Sequence, residues 1–147
     1  MKQRILNELK SLKRRYPDIE HKFKVCFDLD SYDTYGEYHP NSNVLFFNMV
    51  AANFFGFEKF REIVIHEFAH YIAVIKYKNM NHNKIWKKIM FDCGIFNAKA
   101  KSDLGTFPYK GLVPVSCKCS THYIKRNELF RFKSGRVKCK KCLSLVN

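Results

Sequence analysis

Residues 57–77 have the sequence FEKFREIVIHEFAHYIAVIKY, the longest helical pattern in the chain. The stretch contains no proline and no glycine, and Gly56 stands immediately before it. Apolar side chains recur at three-to-four-residue spacing, at Phe60, Val64, Phe68 and Ile72. That spacing places them on one face of a helix. The stretch therefore predicts one long helix that packs against a hydrophobic core.

The same helix carries the pattern HExxH, formed by His66, Glu67 and His70. Residues four apart share a helix face, so both imidazoles can reach one metal ion, with Glu67 beside it. Two imidazoles and an adjacent carboxylate are typical of hydrolytic zinc sites, where the carboxylate is the general base. The alternative is two core histidines hydrogen-bonded to the backbone, with Glu67 at the surface. The free-energy cost of burying polar side chains among apolar residues makes this alternative unfavourable.

A catalytic zinc usually has three protein ligands, and the next histidine in the chain is His82. Residues 79–81, with the sequence NMN, break the helical pattern, which resumes after His82. A loop followed by a second helix could return His82 to the metal, and Asp92 is the acidic alternative. The pattern HExxHxxGxxH is excluded because Ala73 and Lys76 occupy its glycine and third histidine positions.

Four cysteines near the end of the sequence form two close pairs, Cys117 with Cys119 and Cys139 with Cys142. Strand-like segments at 123–126 and 129–132, with a turn at 134–135, separate the pairs and predict a β ribbon. Two facing thiol pairs on its turns would bind a structural zinc. His122 could replace Cys117 as the fourth ligand. The alternatives are free thiols or two disulfides, and disulfides are rare in intracellular proteins.

The other two cysteines, Cys26 and Cys93, have no second sulfur close by in sequence. Cys26 lies in the strand-like run 23–29, and Cys93 precedes Gly94 at the end of a helical pattern. Both are interpreted as small buried hydrophobic residues rather than ligands.

These motifs together resemble the SprT-like zinc metalloproteases. The resemblance rests on HEFAH at residues 66–70, the pattern His-x-x-x-Trp-Lys at 82–87, Gly36 followed by the strand 44–47 and Asn48, and the cysteine-rich tail. It covers most of residues 20–147. The resemblance implies a protease that cuts DNA-bound and DNA-crosslinked proteins and is stimulated by DNA. It also implies zinc ligands at His66, His70 and His82, with Glu67 as the general base.

The chain has 147 residues and a formal net charge of +14, distributed unevenly. Residues 113–147 carry nine Lys or Arg and one acidic residue, whereas residues 25–60 carry one Lys and five acidic residues. A basic ribbon with interleaved aromatic residues predicts sequence-independent, salt-dependent binding of single-stranded DNA. The candidate contacts are Lys125, Arg126, Arg131, Lys133, Arg136 and Lys138. The alternative is a solvated basic face in which Phe130 and Phe132 pack the ribbon.

The patterns predict an α+β protein, with a small zincin-like metalloprotease core and a C-terminal β zinc ribbon. The predicted divisions are a core at 1–96, a connector at 97–112 and a ribbon at 113–147. An amphipathic helix over 1–15 and strands near 22–29 and 44–48 complete the core. The strand at 44–47 is a candidate edge strand that pairs with substrate backbone. We expect two zinc ions, DNA-bound protein substrates and a monomer.

Composition excludes several classes of protein. An apolar fraction of 46% is ample for a core, so disorder is not expected. No apolar run is long enough to span a membrane, and no secretory signal is present, which predicts a cytoplasmic or nucleoid-associated protein. Two other functions stay open: a nucleic-acid-binding zinc protein without catalysis, and a small peptidase independent of DNA. Glu67 favours catalysis over the first, and activity unaffected by DNA would indicate the second.

Overall fold

The computed structural model describes residues 1–29, 31, 34–101, 104, 112–119, 121–125, 137–139 and 142. The chain forms two compact units, Met1–Thr106 and Phe107–Asn147. The three-part division at 1–96, 97–112 and 113–147 remains a prediction.

Helices and a small sheet together form the first unit, which confirms the predicted α+β class. Its described elements, in chain order, are α1 (Lys2–Arg14), β1 (Lys24–Cys26), β2 (Gly36–His39), β3 (Val44–Phe47), α2 (Met49–Phe55), α3 (Phe57–Tyr77) and α4 (Lys84–Asp92). Among the described residues, no helix combines the length and the apolar character that crossing a membrane requires.

Helix α3 begins and ends where the sequence predicts. Gly56 precedes it with a φ of 77°, a conformation that glycine adopts without steric cost. The helix closes at Lys78, whose φ is 53° and whose N–H donates to the carbonyl oxygen of Val74. Phe60 and Phe68 are fully buried, so the predicted apolar face is the core face.

Strand β3 is the central strand of a sheet with the order β1-β3-β2. It pairs in parallel with β1 and antiparallel with β2. The expectation that residues 44–47 form an edge strand for substrate is therefore wrong. Leu45 and Phe47 are fully buried, and a continuous apolar run is typical of a strand with neighbours on both sides. In the described sheet the edges are β1 and β2.

Two elements, β2 and α2, were not predicted from the sequence, and the first strand is shorter than the predicted 22–29. Asn48 joins β3 to α2 and is almost completely buried. Its Oδ1 accepts from the N–H of Ala51 at 3.0 Å and caps α2, while its Nδ2 donates to the carbonyl oxygen of Ser31 at 2.5 Å. Asn48 thus holds the segment before β2 against the start of α2.

Helix α1 is the predicted amphipathic helix and packs against α3. Its buried face consists of Ile5, Leu9 and Leu12, each at most 1% exposed. Burial of each such side chain contributes about 1.5–3 kcal/mol. The hydroxyl of Tyr71 on α3 donates to the carbonyl oxygen of His21 at 2.5 Å and ties the segment before β1 to the same core.

The two isolated cysteines differ. Cys93 is buried, as predicted. The interpretation of Cys26 as a buried hydrophobic residue is wrong, because it is partly exposed and its Sγ donates to Oδ1 of Asp28 at 2.7 Å. Cys26 ends an edge strand, where its side chain can reach a neighbouring carboxylate.

The second unit contains a hairpin of β4 (Leu112–Ser116) and β5 (Thr121–Lys125), paired antiparallel. Cys117 and Cys119 lie in the connection between these strands, so the first thiol pair is on a turn, as predicted. Strand β4 begins at the last residue of the predicted connector. The predicted strand at 129–132 and the turn at 134–135 lie outside the described residues.

Candidate metal centre

Three histidines converge on one point in the first unit. The Nε2 atoms of His66 and His70 are 3.2 Å apart, and Nε2 of His82 lies 3.0 Å from each of them. His66 and His70 are one turn apart on α3, and both are buried. The structure therefore brings together the three histidines that the sequence singled out.

The start of α4 positions His82. Asn83 is the N-cap of α4, and its Oδ1 accepts from the N–H groups of Ile85 and Trp86 at 3.0 and 3.3 Å. His82 immediately precedes this cap, which fixes where its backbone enters the helix. Asp92, the acidic alternative, is at the other end of α4, where its carboxylate lies 3.1 Å from Nζ of Lys88.

The histidine cluster fits a zinc ion. Zinc–nitrogen bonds of about 2.0–2.1 Å in a tetrahedron place ligand nitrogens about 3.3 Å apart, close to the spacings of 3.0–3.2 Å here. Three ring nitrogens cannot all satisfy one another, because a bond between two of them needs one donor and one acceptor. A shared cation accepts a lone pair from each of them. Three imidazoles also leave a fourth position of the tetrahedron for water or substrate.

Burial keeps these imidazoles in the form that binds metal. It is the largest cause that lowers the pKa of His66 to about 3 and the pKa of His70 to about 4, and the neighbouring imidazoles add to it. Burial also lowers the pKa of His82. All three rings are consequently neutral at pH 7, as metal ligation requires.

Glu67 lies between the histidines and strand β2. Its Oε1 is 4.0 Å from Nε2 of His66, and its carboxylate accepts a backbone hydrogen bond from Tyr38. Burial, with a smaller contribution from nearby Glu37, raises the pKa of Glu67 to about 8 against the opposing effect of the Tyr38 bond. A cation held by the histidines would favour the ionised carboxylate, since an opposite charge nearby lowers a carboxyl pKa.

The sequence profile of the SprT-like family matches residues 6–104, a range that contains all three histidines and Glu67. This match covers most of the chain. The chain belongs to the SprT-like family. No curated protein and no solved structure matches it significantly. The family is generally metallopeptidase-like, which agrees with a donor set that fits zinc.

The C-terminal unit of this SprT-like chain contains a second candidate metal group. The ligand atoms of Cys117, Cys119, Cys139 and Cys142 all lie within 4.8 Å of one another. The Sγ atoms of Cys117 and Cys119 are 3.3 Å apart, and those of Cys119 and Cys139 are 3.6 Å apart. None of the six cysteines forms a disulfide. Four thiolates on zinc would be about 3.8 Å apart, so this cluster also fits zinc. The backbone of His122 pairs with Val115 in the hairpin, and its side chain lies outside the described part.

Most of the candidate DNA contacts lie outside the described residues, namely Arg126, Arg131, Lys133 and Arg136. Lys125 is the last residue of β5, and Lys138 is exposed. The DNA contacts therefore remain a prediction from charge and composition.

Sequence reasoning used Trp86 in the pattern His-x-x-x-Trp-Lys and as an apolar residue of α4, but did not include it in the site. Its ring centroid is 4.8 Å from that of His66, 5.6 Å from His70 and 4.5 Å from His82. The signal that could have found it is its position four residues after His82. An aromatic residue at that spacing can fold back onto the histidine.

Replacing Gly36 by alanine should disturb the packing of Glu67. A Cβ at this position would lie 2.6 Å from Cγ2 of Ile63 and 2.8 Å from Cγ of Glu67. Both distances are too short, so we expect Gly36→Ala to cost about 1–3 kcal/mol of unfolding free energy. Urea unfolding followed by tryptophan fluorescence measures this loss.

A double-mutant cycle separates this clash from other effects of the added methyl group. Ile63→Ala removes the closest contact, so Gly36→Ala should cost less in the Ile63→Ala background than in the wild type. An equal cost in both backgrounds would show that the clash with Ile63 is not the cause.

In the metal-free protein, Glu67→Gln should become more stabilising as the pH rises from 5 to 8. Between the unfolded pKa of 4.5 and the folded pKa of about 8, the folded carboxyl holds a proton that the unfolded one has released. Wild-type stability therefore falls as pH rises through this window, whereas glutamine has no such loss. We expect a gain of more than about 1 kcal/mol at pH 8.

Tryptophan fluorescence in urea, with a chelator present, is the measurement, because the single tryptophan is buried in the first unit. A stability difference between Glu67→Gln and the wild type that does not change with pH would contradict the assignment of Glu67 as a buried, proton-retaining carboxyl.

Proposed function

We propose that this SprT-like protein is a zinc-dependent protease that hydrolyses peptide bonds of DNA-bound or DNA-crosslinked proteins. The observation that carries the proposal is the convergence of His66, His70 and His82 on one point beside a carboxylate. Oε1 of Glu67 lies 4.0 Å from Nε2 of His66. A purely structural metal site has no use for a buried carboxylate there. We further propose a zincin-like core and a C-terminal zinc ribbon, acting as a monomer.

The proposed chemistry divides between the metal and the chain. Bound zinc supplies a Lewis acid that polarises the scissile carbonyl and makes water a stronger nucleophile at neutral pH. Glu67 accepts the proton of the attacking water and delivers it to the leaving amine. The buried surroundings of Glu67 and its fixed contact with Tyr38 hold the carboxylate in one position for both transfers.

Strand β2 is the better candidate for binding substrate backbone. It is an edge strand of the described sheet, and its residues Gly36 and Tyr38 contact Glu67. An extended peptide that adds to this edge would place its backbone next to the candidate base. We therefore propose β2 in place of the strand at 44–47, whose two edges are both paired.

The DNA part of the proposal rests on charge. The chain has a formal net charge of +14, and nine basic residues are concentrated in residues 113–147. A basic surface of this kind binds phosphates without reading sequence. DNA binding would bring the protease to proteins on the same strand and so raise their effective concentration.

Replacing Glu67 by glutamine should abolish cleavage while leaving metal bound. Losing a general base typically costs about 10²–10⁴-fold in rate. The measurement is time-resolved cleavage of a basic DNA-bound protein, and of the enzyme itself, with and without single-stranded DNA. Zinc content of each sample is measured in parallel, and chelation of zinc should stop the wild-type reaction.

Glu62→Gln is the matched control, since Glu62 lies on the same helix outside the histidine cluster, and its activity should equal that of the wild type. Cleavage that requires both DNA and Glu67 supports the proposal. Glu67-dependent cleavage that ignores DNA would indicate a small peptidase. Zinc-loaded protein without cleavage in any condition would favour a nucleic-acid-binding protein instead.

Removing three tail cations should weaken DNA binding and its dependence on salt. Each phosphate contact on a single strand contributes about −0.7 to the slope of log K against log salt concentration. Replacing Arg131, Lys133 and Arg136 together by glutamine should therefore reduce the slope by about 2. Fluorescence anisotropy of a labelled single-stranded oligonucleotide over a salt series is the measurement.

A variant with Lys10, Lys84 and Lys87 replaced by glutamine removes the same charge from exposed positions of the first unit. Its slope should match the wild type. An equal fall in both variants would show that net charge, rather than the tail, governs DNA binding.

A further inference from the structure

One aromatic ring forms a wall of the histidine cluster. Trp86, the single tryptophan of the chain, is fully buried and lies within ring-contact distance of all three histidines. Its ring makes edge-type contacts with His66, at an interplanar angle of 67°, and with His82, at 80°. Against His70 the rings are tilted by 34°. One residue thus contacts every candidate ligand.

In the described part of the chain, two of the histidines, His66 and His70, lack the partners that usually orient metal ligands. A metal-binding imidazole ordinarily donates its second N–H to a carboxylate or a backbone carbonyl, which fixes the ring and the tautomer. Among the described residues, the buried Nδ1 atoms of His66 and His70 have no hydrogen-bond partner, and neither does Nε1 of Trp86. Hydrogen bonds to Nδ1 from the described residues therefore do not fix the rings of His66 and His70.

Trp86 is itself fixed in position, so its ring can orient the imidazole rings. Its backbone N–H donates to the Asn83 side chain in the first turn of α4, and its side chain is completely enclosed. A rigid ring packed against an imidazole blocks rotation of that imidazole about its side-chain bonds, because interiors are close-packed. The same helix start also carries His82, so one short segment provides both a ligand and the wall.

We propose that Trp86 is a positioning residue that orients the imidazoles of His66, His70 and His82 by packing. For His66 and His70, this packing takes the place of hydrogen-bond acceptors at Nδ1. This rests on the proposed function, because it takes these histidines as the zinc ligands. A further consequence concerns the metal. An imidazole without an acceptor on its Nδ1–H would be a weaker electron donor, so an ion held by these histidines would be a stronger Lewis acid.

The test compares metal affinity in Trp86→Leu, Trp86→Phe and the wild type, with Phe60→Leu as the matched control. Phe60 is equally buried on α3 and contacts Phe47, so its replacement opens a core cavity away from the histidines. Cobalt(II) is the probe, titrated against a competing chelator. Hyperfine-shifted, solvent-exchangeable imidazole N–H resonances report the histidine site, because a four-thiolate site gives no such signals.

Trp86→Leu should lose about 10–100-fold in cobalt affinity at the histidine site, the range found when partners of metal ligands are removed. Trp86→Phe keeps a ring and should recover most of the affinity. Phe60→Leu should change it by less than about threefold, since effects of distant sites are independent. If Trp86→Leu does not fold, Trp86→Met, whose flexible side chain fills irregular gaps, takes its place.

Three results would overturn the inference. The first is wild-type affinity in Trp86→Leu or Trp86→Met. The second is an equal loss in Phe60→Leu, which would mean that general core damage weakens the site. The third is a wild-type protein without any cobalt-shifted imidazole resonance, and this result alone would also refute the proposed function.

Discussion

The burial of polar side chains on a largely apolar helix is the constraint on which the rest of this structure depends. Helix α3 contributes more buried residues to the core of the first unit than any other element, and the same turns carry His66, Glu67 and His70. The burial that stabilises the fold also lowers the pKa of the imidazoles and keeps them neutral. The helix therefore forms a metal-ready site as a consequence of folding. The neutral imidazoles still need a shared cation, since their converging nitrogens cannot satisfy one another.

The same burial acts on Glu67 in the opposite sense, because desolvation disfavours the charged form of every group. It raises the pKa of this carboxyl, and a nearby cation would reverse that effect. Strand β2 completes the surroundings. It can approach α3 closely because Gly36 has no side chain, and its backbone at Tyr38 contacts the carboxylate. Core, sheet edge and candidate base thus depend on one close contact between a helix and a strand.

Local patterns made α3 predictable almost to the residue, since its periodicity, Gly56 and the break after it are all sequence features. The approach of His82 to His66 and His70 was also predictable, because His82 is the next histidine in the chain and directly follows the break in the helical pattern. Strand β2 was not, because GEYH has little β propensity and becomes a strand only through pairing with β3. The central place of β3 was missed although its unbroken apolar run favours it. The position of Trp86 four residues after His82 indicates a contact with that histidine, but its contacts with His66 and His70 depend on how α4 packs against α3, which no local pattern encodes.

The two candidate metal groups have different relations to folding. The histidine cluster lies beside a core that joins α1, α3, α4 and the sheet, so its ligands are positioned by packing that does not require the metal. In the described part of the second unit, the buried core consists of Val115 and Cys139, and Cys139 is itself a candidate ligand. Four thiolates on one ion would cross-link the turn at Cys117 and Cys119 to the segment that carries Cys139 and Cys142. Zinc at the histidines would therefore serve chemistry, whereas zinc at the cysteines would be part of the fold.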